Sequence, residues 1–563
     1  MAARHRTRRT VGRGRVRVPV AMAVVAALVL VTAVTVRLVA ASATGCTGSV
    51  ALRVVTAPEI RSALDQIGQA WMQTKPAVGG ECVALTVAAQ ESPNVASELS
   101  VFAGSAIDVA AAPQPTPLEE SLPAVWIPDS ISWLGRVQVV DRAAFEDNPQ
   151  SIATSPVVIA MPAAAVAALG QTSGRLPVDA VRQLLSQPGG LKLGVAEPRR
   201  ESASLAAMML LGDALAPTED QLPTLVRTLR GLVKVTSTVD LLEALGKGPT
   251  AGPASEQAVL AHNASDSPVK LVAVQLDPVL AQLDYPFAIR SGVSRQVAQA
   301  AESFRAAILA ASSARTLAAA GFRTPDGAAA DGFPQTKATS LDQFVSGPIE
   351  PADRVQRTLG LWSASNSPSR TLAMFDVTSS MGTIVPGTNA SRAQVMVAAA
   401  KSGLELFTND SRVGMWAFGA QHQEVLPIAD LTPQRRQEFD ERMAGATPVG
   451  SNRSELYQTV LDAYKLMREG YDPKRPNIIV IITDGGDSDP GGLRLERFRQ
   501  NLQHLADPTK PIRVVLIGVG VGSRDAQDLQ AIAQVVGGSF FPMTSPDQIQ
   551  LIFLKALLRV GAA

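Results

Sequence analysis

The chain has 563 residues, of which 46% are hydrophobic and 18% are charged, and its formal net charge is only +1. That length allows several domains, each with a sizeable core. Seven arginines lie within the first 17 residues, so the rest of the chain is mildly acidic, which argues against nucleic-acid binding as its role.

The N-terminal segment predicts a membrane anchor. Val18 to Val36 are nineteen uncharged positions rich in valine, alanine and leucine, long enough to cross a bilayer as a helix. Because basic residues stay inside, we expect a cytoplasmic tail at 1–17, a signal anchor at 18–38 and extracytoplasmic domains after it. Two alternatives stay open, cleavage of a signal peptide at 41–43 and lipidation of Cys46. All three would export the body of the chain.

Only two cysteines occur, Cys46 and Cys82, and each precedes an apolar run with the composition of a strand. If the two strands are parallel neighbours, their starts lie close together. In an oxidising compartment this pattern predicts one disulfide. The alternative is two unpaired thiols, including a lipid-modified Cys46. The spacing of the two cysteines is not that of a metal site.

Residues from about 50 to 340 alternate between strand-like and helix-like segments, which predicts an α/β fold. A helix continues to Gln73 after the strand that ends near Thr56, and another is predicted from Gln296 to about Arg323. Further strand-like segments are Ile107–Ala112, Trp126–Ser130, Ser155–Ala160, Lys192–Pro198 and Asp284–Ala288.

This order resembles the two-lobed bacterial extracellular solute-binding proteins, which are related to the molybdate- and phosphate-binding components of ABC transporters. The resemblance is carried by I-D-V-A-A-A at 107–112, S-P-V-V-I-A at 155–160, D-Y-P-F at 284–287 and an A-x-x-F…G-F-R helix ending at Arg323. It implies a periplasmic-binding-protein-like domain over 47–335, whose two lobes close on a small solute.

In such folds, helix N-termini point into the cleft and hold anions. The candidate contacts each follow a predicted strand or begin a helix, and they are Thr56, Glu59, Ser130, Ser202, Ser204 and Glu256. Serines and acids at these positions are also common helix caps, so the cleft could hold no ligand. Glu59 and Glu256 argue against a pure oxyanion site, because their charges would have to be neutralised.

A turn-rich stretch separates this region from the rest of the chain. Its proline, glycine and asparagine residues predict an inter-domain linker at 336–368, with a short helix between Leu341 and Gly360.

Beyond the linker, the apolar run Thr371–Phe375 predicts a buried strand that ends at Asp376. Thr378 and Ser380 follow on a tight turn. Ligands of open α/β sheets collect at the carboxyl ends of strands, and a carboxylate with two hydroxyls suits a hard divalent cation.

Three further segments follow the same logic. Asn477–Thr483 is a second apolar strand, and it ends at Asp484. The loop at 450–457 carries Ser454 two positions before a leucine, and the segment 412–418 reads R-V-G-M-W-A-F. The four segments resemble the metal-ion-dependent adhesion site of von Willebrand factor type A (VWA) domains.

The resemblance implies a Rossmann-like domain over 369–563 that binds Mg²⁺ or Mn²⁺. The implied ligands are Asp376, Thr378, Ser380, Ser454 and Asp484. The family usually has serine at 378 and threonine at 454, and the 450–457 loop is one residue longer, so Ser451 and Thr447 stay open as ligands. A metal-free domain is the alternative.

The remainder of this region alternates regularly, which predicts a mostly parallel sheet wrapped by helices. The predicted helices are 391–407, 454–467, 492–505, 525–535 and 546–559, and the predicted strands are 413–418, 478–483 and 513–518.

No catalytic motif occurs: the sequence has no H-E-x-x-H, no G-x-S-x-G and no phosphate-binding loop. We therefore expect a binding protein rather than an enzyme. The leading hypothesis is recognition of an acidic residue of a protein ligand at the cell surface, with the solute-binding-like domain as a sensor or second module. The alternatives are the solute-binding component of an ABC-type transport system and a structural protein of the cell envelope.

Overall fold

The computed structural model describes residues 46–558 except 111–114, 147–148, 170–174, 187–189, 217, 219–220, 278–280, 335–351, 367, 446–447, 449–450, 508 and 546. The predicted tail and anchor, at 1–17 and 18–38, therefore lie outside the described residues. Within the described part, no helix is long and apolar enough to cross a membrane. The described chain forms two compact units. The first unit contains 46–156 and 282–334, and the second contains 157–281 and 352–558.

The first unit begins with alternating strands and helices. Strand β1 buries one face, with Val50, Leu52 and Val54 in the core, while Ser49 and Ala51 on the other face are exposed; both faces are buried only at its end, from Val54 to Thr56. The elements of this stretch are β1 (Ser49–Thr56), α1 (Arg61–Gln73), β2 (Ala77–Val78), β3 (Glu81–Ala89), α2 (Ser92–Phe102), β4 (Val125–Ile127), α3 (Ile131–Val140) and β5 (Gln150–Ser151), with short 3-10 helices at Pro58–Ile60 and Glu119–Ser121.

The middle segment, residues 157–281, belongs to the second unit. Its main strand, β6, is buried almost along its whole length. The elements here are β6 (Ser155–Pro162), α4 (Ala163–Ala168), β7 (Arg175–Pro177), α5 (Val178–Ser186), β8 (Gly194–Ala196), α6 (Ser202–Leu215), α7 (Leu222–Gly231), β9 (Val233–Val235), α8 (Thr238–Ala244), β10 (Gly252–Ser255), α9 (Glu256–Ala264) and β11 (Leu271–Asp277). Strands β10, β6, β11 and β7 form one sheet in that order, and β8 pairs with β9.

The chain then returns to the first unit through β12 (Gln282–Leu283), β13 (Pro286–Ile289), α10 (Arg295–Ile308) and α11 (Ala311–Ala319). The sheet of the first unit has the order β2-β3-β1-β4-β13-β5. The mixed α/β architecture is as predicted.

Two local predictions in this region are wrong. The single helix expected from Gln296 to Arg323 is two helices, because Ala310 is extended and the Ser313 hydroxyl donates to the carbonyl of Ala307. No strand forms over 107–110, the described part of the predicted 107–112 strand. There the Asp108 carboxylate accepts the backbone N–H of Ala110, and Ala110 has a φ of 50°, so the chain turns.

The predicted disulfide is present between Cys46 and Cys82, whose Cα atoms are 5.5 Å apart. Strands β1 and β3 are parallel neighbours in which Ser49 pairs with Cys82, so their starts do lie together. The bond closes a sequence separation of 36 residues, which stabilises the first unit by about 4 kcal/mol on chain-entropy grounds.

The predicted linker at 336–368 contains a whole regular helix, α12 (Ala352–Asn366). Val355, Leu359, Leu361 and Trp362 of α12 are buried, so this stretch packs as part of the second unit. The turn-rich sequence around α12 hid the helical spacing of these apolar residues.

The C-terminal domain, defined here as residues 370–558, has one six-stranded sheet with the order β16-β15-β14-β17-β18-β19. All neighbouring strands are parallel except the edge strand β16. The elements are β14 (Arg370–Asp376), a 3-10 helix (Ser379–Gly382), α13 (Arg392–Leu404), β15 (Arg412–Phe418), β16 (His422–Asp430), α14 (Pro433–Ala444), α15 (Leu456–Glu469), β17 (Asn477–Thr483), α16 (Leu495–Leu505), β18 (Ile512–Val519), α17 (Ser523–Val535), β19 (Ser539–Met543) and α18 (Gln548–Leu558).

The mostly parallel sheet wrapped by helices agrees with the prediction, but β16, α14 and β19 were missed. Strand β16 is a half-exposed edge strand that contains Pro427, and helix α14 buries only Phe439 and Met443. Neither has the dense apolar pattern of the central strands, such as the fully buried β17.

Candidate functional site

The candidate metal site lies at the carboxyl ends of the central strands of the C-terminal domain. Strand β14 lies between β15 and β17, and Asp376 is its last residue, level with Phe418 at the end of β15. Asp376 is only 1% exposed. The chain leaves the strand there and turns through Thr378 and Ser380, so these side chains share one end of the sheet.

Hydrogen bonds hold the Asp376 carboxylate in one orientation. Its Oδ1 accepts the backbone N–H of Thr378 at 2.9 Å and the Thr378 hydroxyl at 2.6 Å, and its Oδ2 accepts the Thr483 hydroxyl at 2.6 Å. Burial raises the pKa of Asp376 above its ordinary value, and the bonds from both threonines oppose that rise. Thr483 was not among the predicted residues, although it directly precedes Asp484 in the sequence.

The network continues from Thr378 to Asp484. The hydroxyls of Thr378 and Ser380 are 2.9 Å apart, and the Ser380 hydroxyl donates to Oδ1 of Asp484 at 3.0 Å. On the other side, the guanidinium of Arg392 lies 2.6 Å from Oδ2 of Asp484. Sequence reasoning missed Arg392. Arg392 is the first residue of helix α13, and this position gave no indication of a contact with Asp484.

Ser454 lies in the loop at 450–457, called the third loop below. Its side chain differs from those of Thr378 and Ser380 in its hydrogen bonding. Its side chain is 5% exposed, and its hydroxyl has no hydrogen-bond partner among the described residues. Its backbone is nevertheless fixed, because its N–H donates to the Ser488 hydroxyl and its carbonyl accepts the N–H of Ser488. A buried hydroxyl without a partner is costly, so it marks a place where a ligand is expected.

The other residues considered for this loop are placed differently. Ser451 is exposed, and its hydroxyl accepts the backbone N–H of Arg453. Its carbonyl accepts the N–H of Ser379, which ties the third loop to the first. Thr447 lies outside the described residues. The geometry therefore favours Ser454 over Ser451 as a ligand.

The donor chemistry of this site suits Mg²⁺ or Mn²⁺, since every candidate donor is an oxygen. Two carboxylates and three hydroxyls are available, from Asp376, Asp484, Thr378, Ser380 and Ser454. In the described part of the chain, no group of three or more His, Cys, Asp or Glu side chains could hold a metal. A metal at this site would therefore depend on the hydroxyls.

The candidate solute contacts of the first unit are Thr56, Glu59 and Ser130. Thr56 ends β1 and is fully buried, and its hydroxyl lacks a partner within the described ranges. Glu59 accepts the hydroxyl of Tyr285 at 2.8 Å. Burial, and then the charge of Asp129, raise the pKa of Glu59 to about 7.

Ser130 is the N-cap of α3. Its hydroxyl accepts the backbone N–H of Ser132 at 3.2 Å. Nearby, Asp284 accepts the backbone N–H of Ile131 at 2.8 Å, and burial raises the pKa of Asp284 to about 6. Asp284 and Tyr285 were quoted in the sequence only as part of a strand, and their acidic neighbourhood was not foreseen.

The remaining three candidates, Ser202, Ser204 and Glu256, lie in the second unit. Ser202 and Ser204 are buried in the first turn of α6, and Glu256 is the buried first residue of α9. The Ser204 hydroxyl has no partner in the portion of the chain that is described. The structure thus divides the six candidates equally between the two units.

Within the second unit, the middle segment contacts the C-terminal domain and helix α12. Arg230 in α7 donates through Nε to the carbonyl of Ser365 at 2.9 Å and through Nη1 to the carbonyl of Glu405 at 2.7 Å. The indole N–H of Trp362 donates to Glu197 at 3.0 Å. Burial lowers the pKa of Arg230 to about 10.

Several solved structures resemble parts of this chain. The sulfate-binding protein SubI from Mycobacterium tuberculosis H37Rv is 16% identical with a TM-score of 0.34, and the match covers 50% of this chain and 88% of that one. A periplasmic thiamin-binding protein is 11% identical with a TM-score of 0.41, covering 56% and 96%. A von Willebrand factor type A protein from Catenulispora acidiphila is 16% identical with a TM-score of 0.28, covering 34% and 42%. The chain thus spans less than half of that last protein.

No curated protein sequence matches the chain. Two family models do match, in separate regions. The model of the bacterial extracellular solute-binding protein family matches residues 52–323. The model of the von Willebrand factor type A domain matches residues 374–555. The chain therefore combines a bacterial extracellular solute-binding domain with a von Willebrand factor type A domain.

Proposed function

We propose that this chain is an exported binding protein whose VWA domain recognises a protein ligand through a bound divalent cation. The ion would be Mg²⁺ or Mn²⁺, held by Asp376, Thr378, Ser380, Ser454 and Asp484. The observation that carries the proposal is the buried, unpartnered hydroxyl of Ser454, in the loop that is tied to the Asp376 turn through Ser451 and Ser379.

The charge balance of the site supports recognition of an acidic group. In the proposed ligand set, Asp376 and Asp484 are the two carboxylates, and Asp484 already has Arg392 as a partner. A divalent cation held mainly by neutral hydroxyls keeps net positive charge and favours a further anionic ligand. An acidic side chain of a protein ligand fits that requirement. The bound ion would attract this side chain, and the residues of the site would orient the ion.

The Asp376 carboxylate has a positioning role in this scheme. Three hydrogen bonds fix both of its oxygens, and the same bonds align the hydroxyl of Thr378 toward that of Ser380. The oxygens are therefore ordered before an ion arrives, which reduces the entropy lost on binding.

The solute-binding domain supplies a second module in this proposal. Thr56 and Ser204 are buried hydroxyls without partners among the residues described, as expected of groups reserved for a ligand. Arg230 and Trp362 link the middle segment to the C-terminal domain and α12, so a solute bound by the middle segment could alter the VWA domain. The solute-binding component of a transport system is the second candidate function, because the same two hydroxyls would serve it.

The family match to extracellular proteins and the disulfide both support export. The single-pass anchor at 18–38, with a cytoplasmic N-terminus, stays a prediction, as do the domain boundaries at 47–335, 336–368 and 369–563.

The sharpest test of the metal site is Ser454→Ala. Because the hydroxyl makes no hydrogen bond to any described residue, its removal should leave the free energy of unfolding in EDTA unchanged or slightly higher. The affinity for Mg²⁺ should fall about tenfold, since a metal ligand is lost. Titration calorimetry on the 563-residue chain in detergent measures the affinity, and thermal unfolding measures the stability.

Ser451→Ala is the matched control, because it removes an exposed hydroxyl of the same loop and should leave the Mg²⁺ affinity unchanged. Absence of saturable Mg²⁺ or Mn²⁺ binding by the unsubstituted protein would refute the metal site. Transport or structural roles would then become the leading explanations.

A further inference from the structure

We propose that Arg392 is an internal counter-cation of the metal site: it neutralises Asp484 while the ion is absent and weakens the site's affinity for divalent cations. This inference rests on the proposed metal site. It extends that proposal to a residue which the donor set does not include.

The position of Arg392 is fixed by the start of α13. Ser391 caps this helix, since its hydroxyl accepts the N–H of Gln394 and the Gln394 side chain accepts the N–H of Ser391. The backbone N–H of Arg392 also donates to the carbonyl of Thr383. The guanidinium therefore extends from an anchored point.

Helix stability does not explain an arginine at this position. The N-terminus of a helix carries partial positive charge, so a cation there is unfavourable. The side chain of Arg392 is only 19% exposed, and that of Asp484 is 5% exposed, so the pair is largely removed from solvent screening. The contact with Asp484 is the favourable interaction that offsets these costs.

The guanidinium has a second anchor at the end of β18. Its Nη2 donates to the carbonyl of Gly520 at 2.9 Å, while Nη1 contacts Oδ2 of Asp484. Gly520 has a φ of +58°, and a Cβ at this residue would lie 3.4 Å from Nε of Arg392. A glycine at 520 thus permits both the backbone turn and the close approach of the guanidinium.

These contacts have opposite consequences in the two states of the site. Without an ion, Asp376 and Asp484 are two buried carboxylates connected through Thr378 and Ser380, and Arg392 compensates one of the two charges. With an ion, the same Asp484 carboxylate is a ligand, and the guanidinium beside it repels the ion. Removing the positive charge should therefore strengthen cation binding and destabilise the ion-free domain.

The test compares Arg392→Gln with Arg392→Lys in the 563-residue chain, with Arg412→Gln as the matched control. Arg412 also pairs with an aspartate, Asp430, but at the start of β15 and therefore at the opposite end of the sheet. Titration calorimetry gives the Mg²⁺ affinity, and thermal unfolding in EDTA and in Mg²⁺ gives the stabilisation by the ion.

We expect Arg392→Gln to bind Mg²⁺ about tenfold more tightly, to unfold at a lower temperature in EDTA and to gain more from Mg²⁺. Arg392→Lys keeps the charge and should stay close to the original affinity, as should Arg412→Gln.

Unchanged or weaker binding by Arg392→Gln would overturn the inference, since the arginine would then only orient Asp484. Tighter Mg²⁺ binding by Arg392→Lys than by the unsubstituted protein would also overturn it, because lysine keeps the positive charge, and this outcome can be read even if the glutamine variant folds poorly. Absence of binding in all four proteins would refute the metal site itself, and the inference with it.

Discussion

The proposed metal site of the VWA domain and the candidate solute contacts contain the same side-chain types, serine, threonine and acids, but different interactions fix them. In the VWA domain, one series of close polar contacts at the ends of adjacent strands connects Asp376 to Asp484 through the hydroxyls of Thr378 and Ser380. The solute candidates are divided between two units instead.

This difference has a physical origin. Residues at the carboxyl ends of neighbouring parallel strands are brought together by the sheet itself, so a short motif specifies a site. A serine at a helix start already has a local use as a cap, and Ser130 is used in that way. Position at a helix start is therefore weaker evidence for a binding role than position at a strand end.

The largest effect on the Mg²⁺ affinity is expected from a substitution at Asp376, where this series begins. Asp376→Asn keeps the shape of the side chain, but its amide nitrogen cannot accept a hydrogen bond and carries no charge. We expect the Mg²⁺ affinity to fall at least about 100-fold, as measured by titration calorimetry. If the Asp376→Asn protein retained the Mg²⁺ affinity, the carboxylate at the strand end would have no special role. The metal site and the solute contacts would then no longer differ in this respect.

A smaller effect is expected from Glu59→Gln in the first unit. In the folded state the pKa of Glu59 is raised from 4.5 to about 7, so protonation of Glu59 stabilises the folded state. Its stabilisation is fully present below pH 4.5 and is lost as the pH rises through about 7. At pH 8 the glutamine variant should be about 3 kcal/mol more stable, and near pH 4 the two proteins should be alike.

Chemical unfolding at pH 4 and pH 8 measures this difference. Asp284 has a raised pKa as well, so the Glu59→Gln protein should keep part of the pH dependence. Equal stabilities at pH 8 would indicate that Glu59 is neutralised by a bound cation or solute. The first unit would then resemble the metal site more closely.

The smallest effect is expected from Ser130→Ala, which tests whether Ser130 is a helix cap or a solute contact. Loss of the cap should lower the free energy of unfolding by about 1 kcal/mol. It should leave binding of any solute unchanged, whereas Thr56→Val, which removes an unpartnered hydroxyl, should weaken binding. Thermal unfolding with a library of small solutes as additives measures both, and the reverse pattern would make Ser130 a solute contact.

Much of the fold follows from sequence periodicity. The buried strands β1, β6, β14 and β17 are dense apolar runs, and the disulfide follows from the position of two cysteines before parallel strands. The break at Ala310 is less visible, because alanine-rich sequence is compatible with one long helix or with two.

For the metal site, the residues that share a turn or directly follow a strand were predictable, and the structure brings Asp376, Thr378, Ser380 and Asp484 together. Their role as metal ligands stays a prediction. Arg392 was not predictable, because only the tertiary packing of α13 on the sheet brings it to Asp484. The unpartnered state of the Ser454 hydroxyl is likewise a property of packing rather than of the motif.

Helix α12 and Arg230 have a practical consequence for dissecting this protein. A fragment that began at residue 369, where the VWA domain was predicted to start, would lack Trp362 and the guanidinium that caps the Glu405 carbonyl. It would expose an apolar surface and leave a backbone acceptor open to water. An isolated VWA fragment should therefore aggregate more readily than one that begins at residue 352 and keeps α12, so the solubility of the two fragments would measure how far the packing of α12 stabilises the VWA domain.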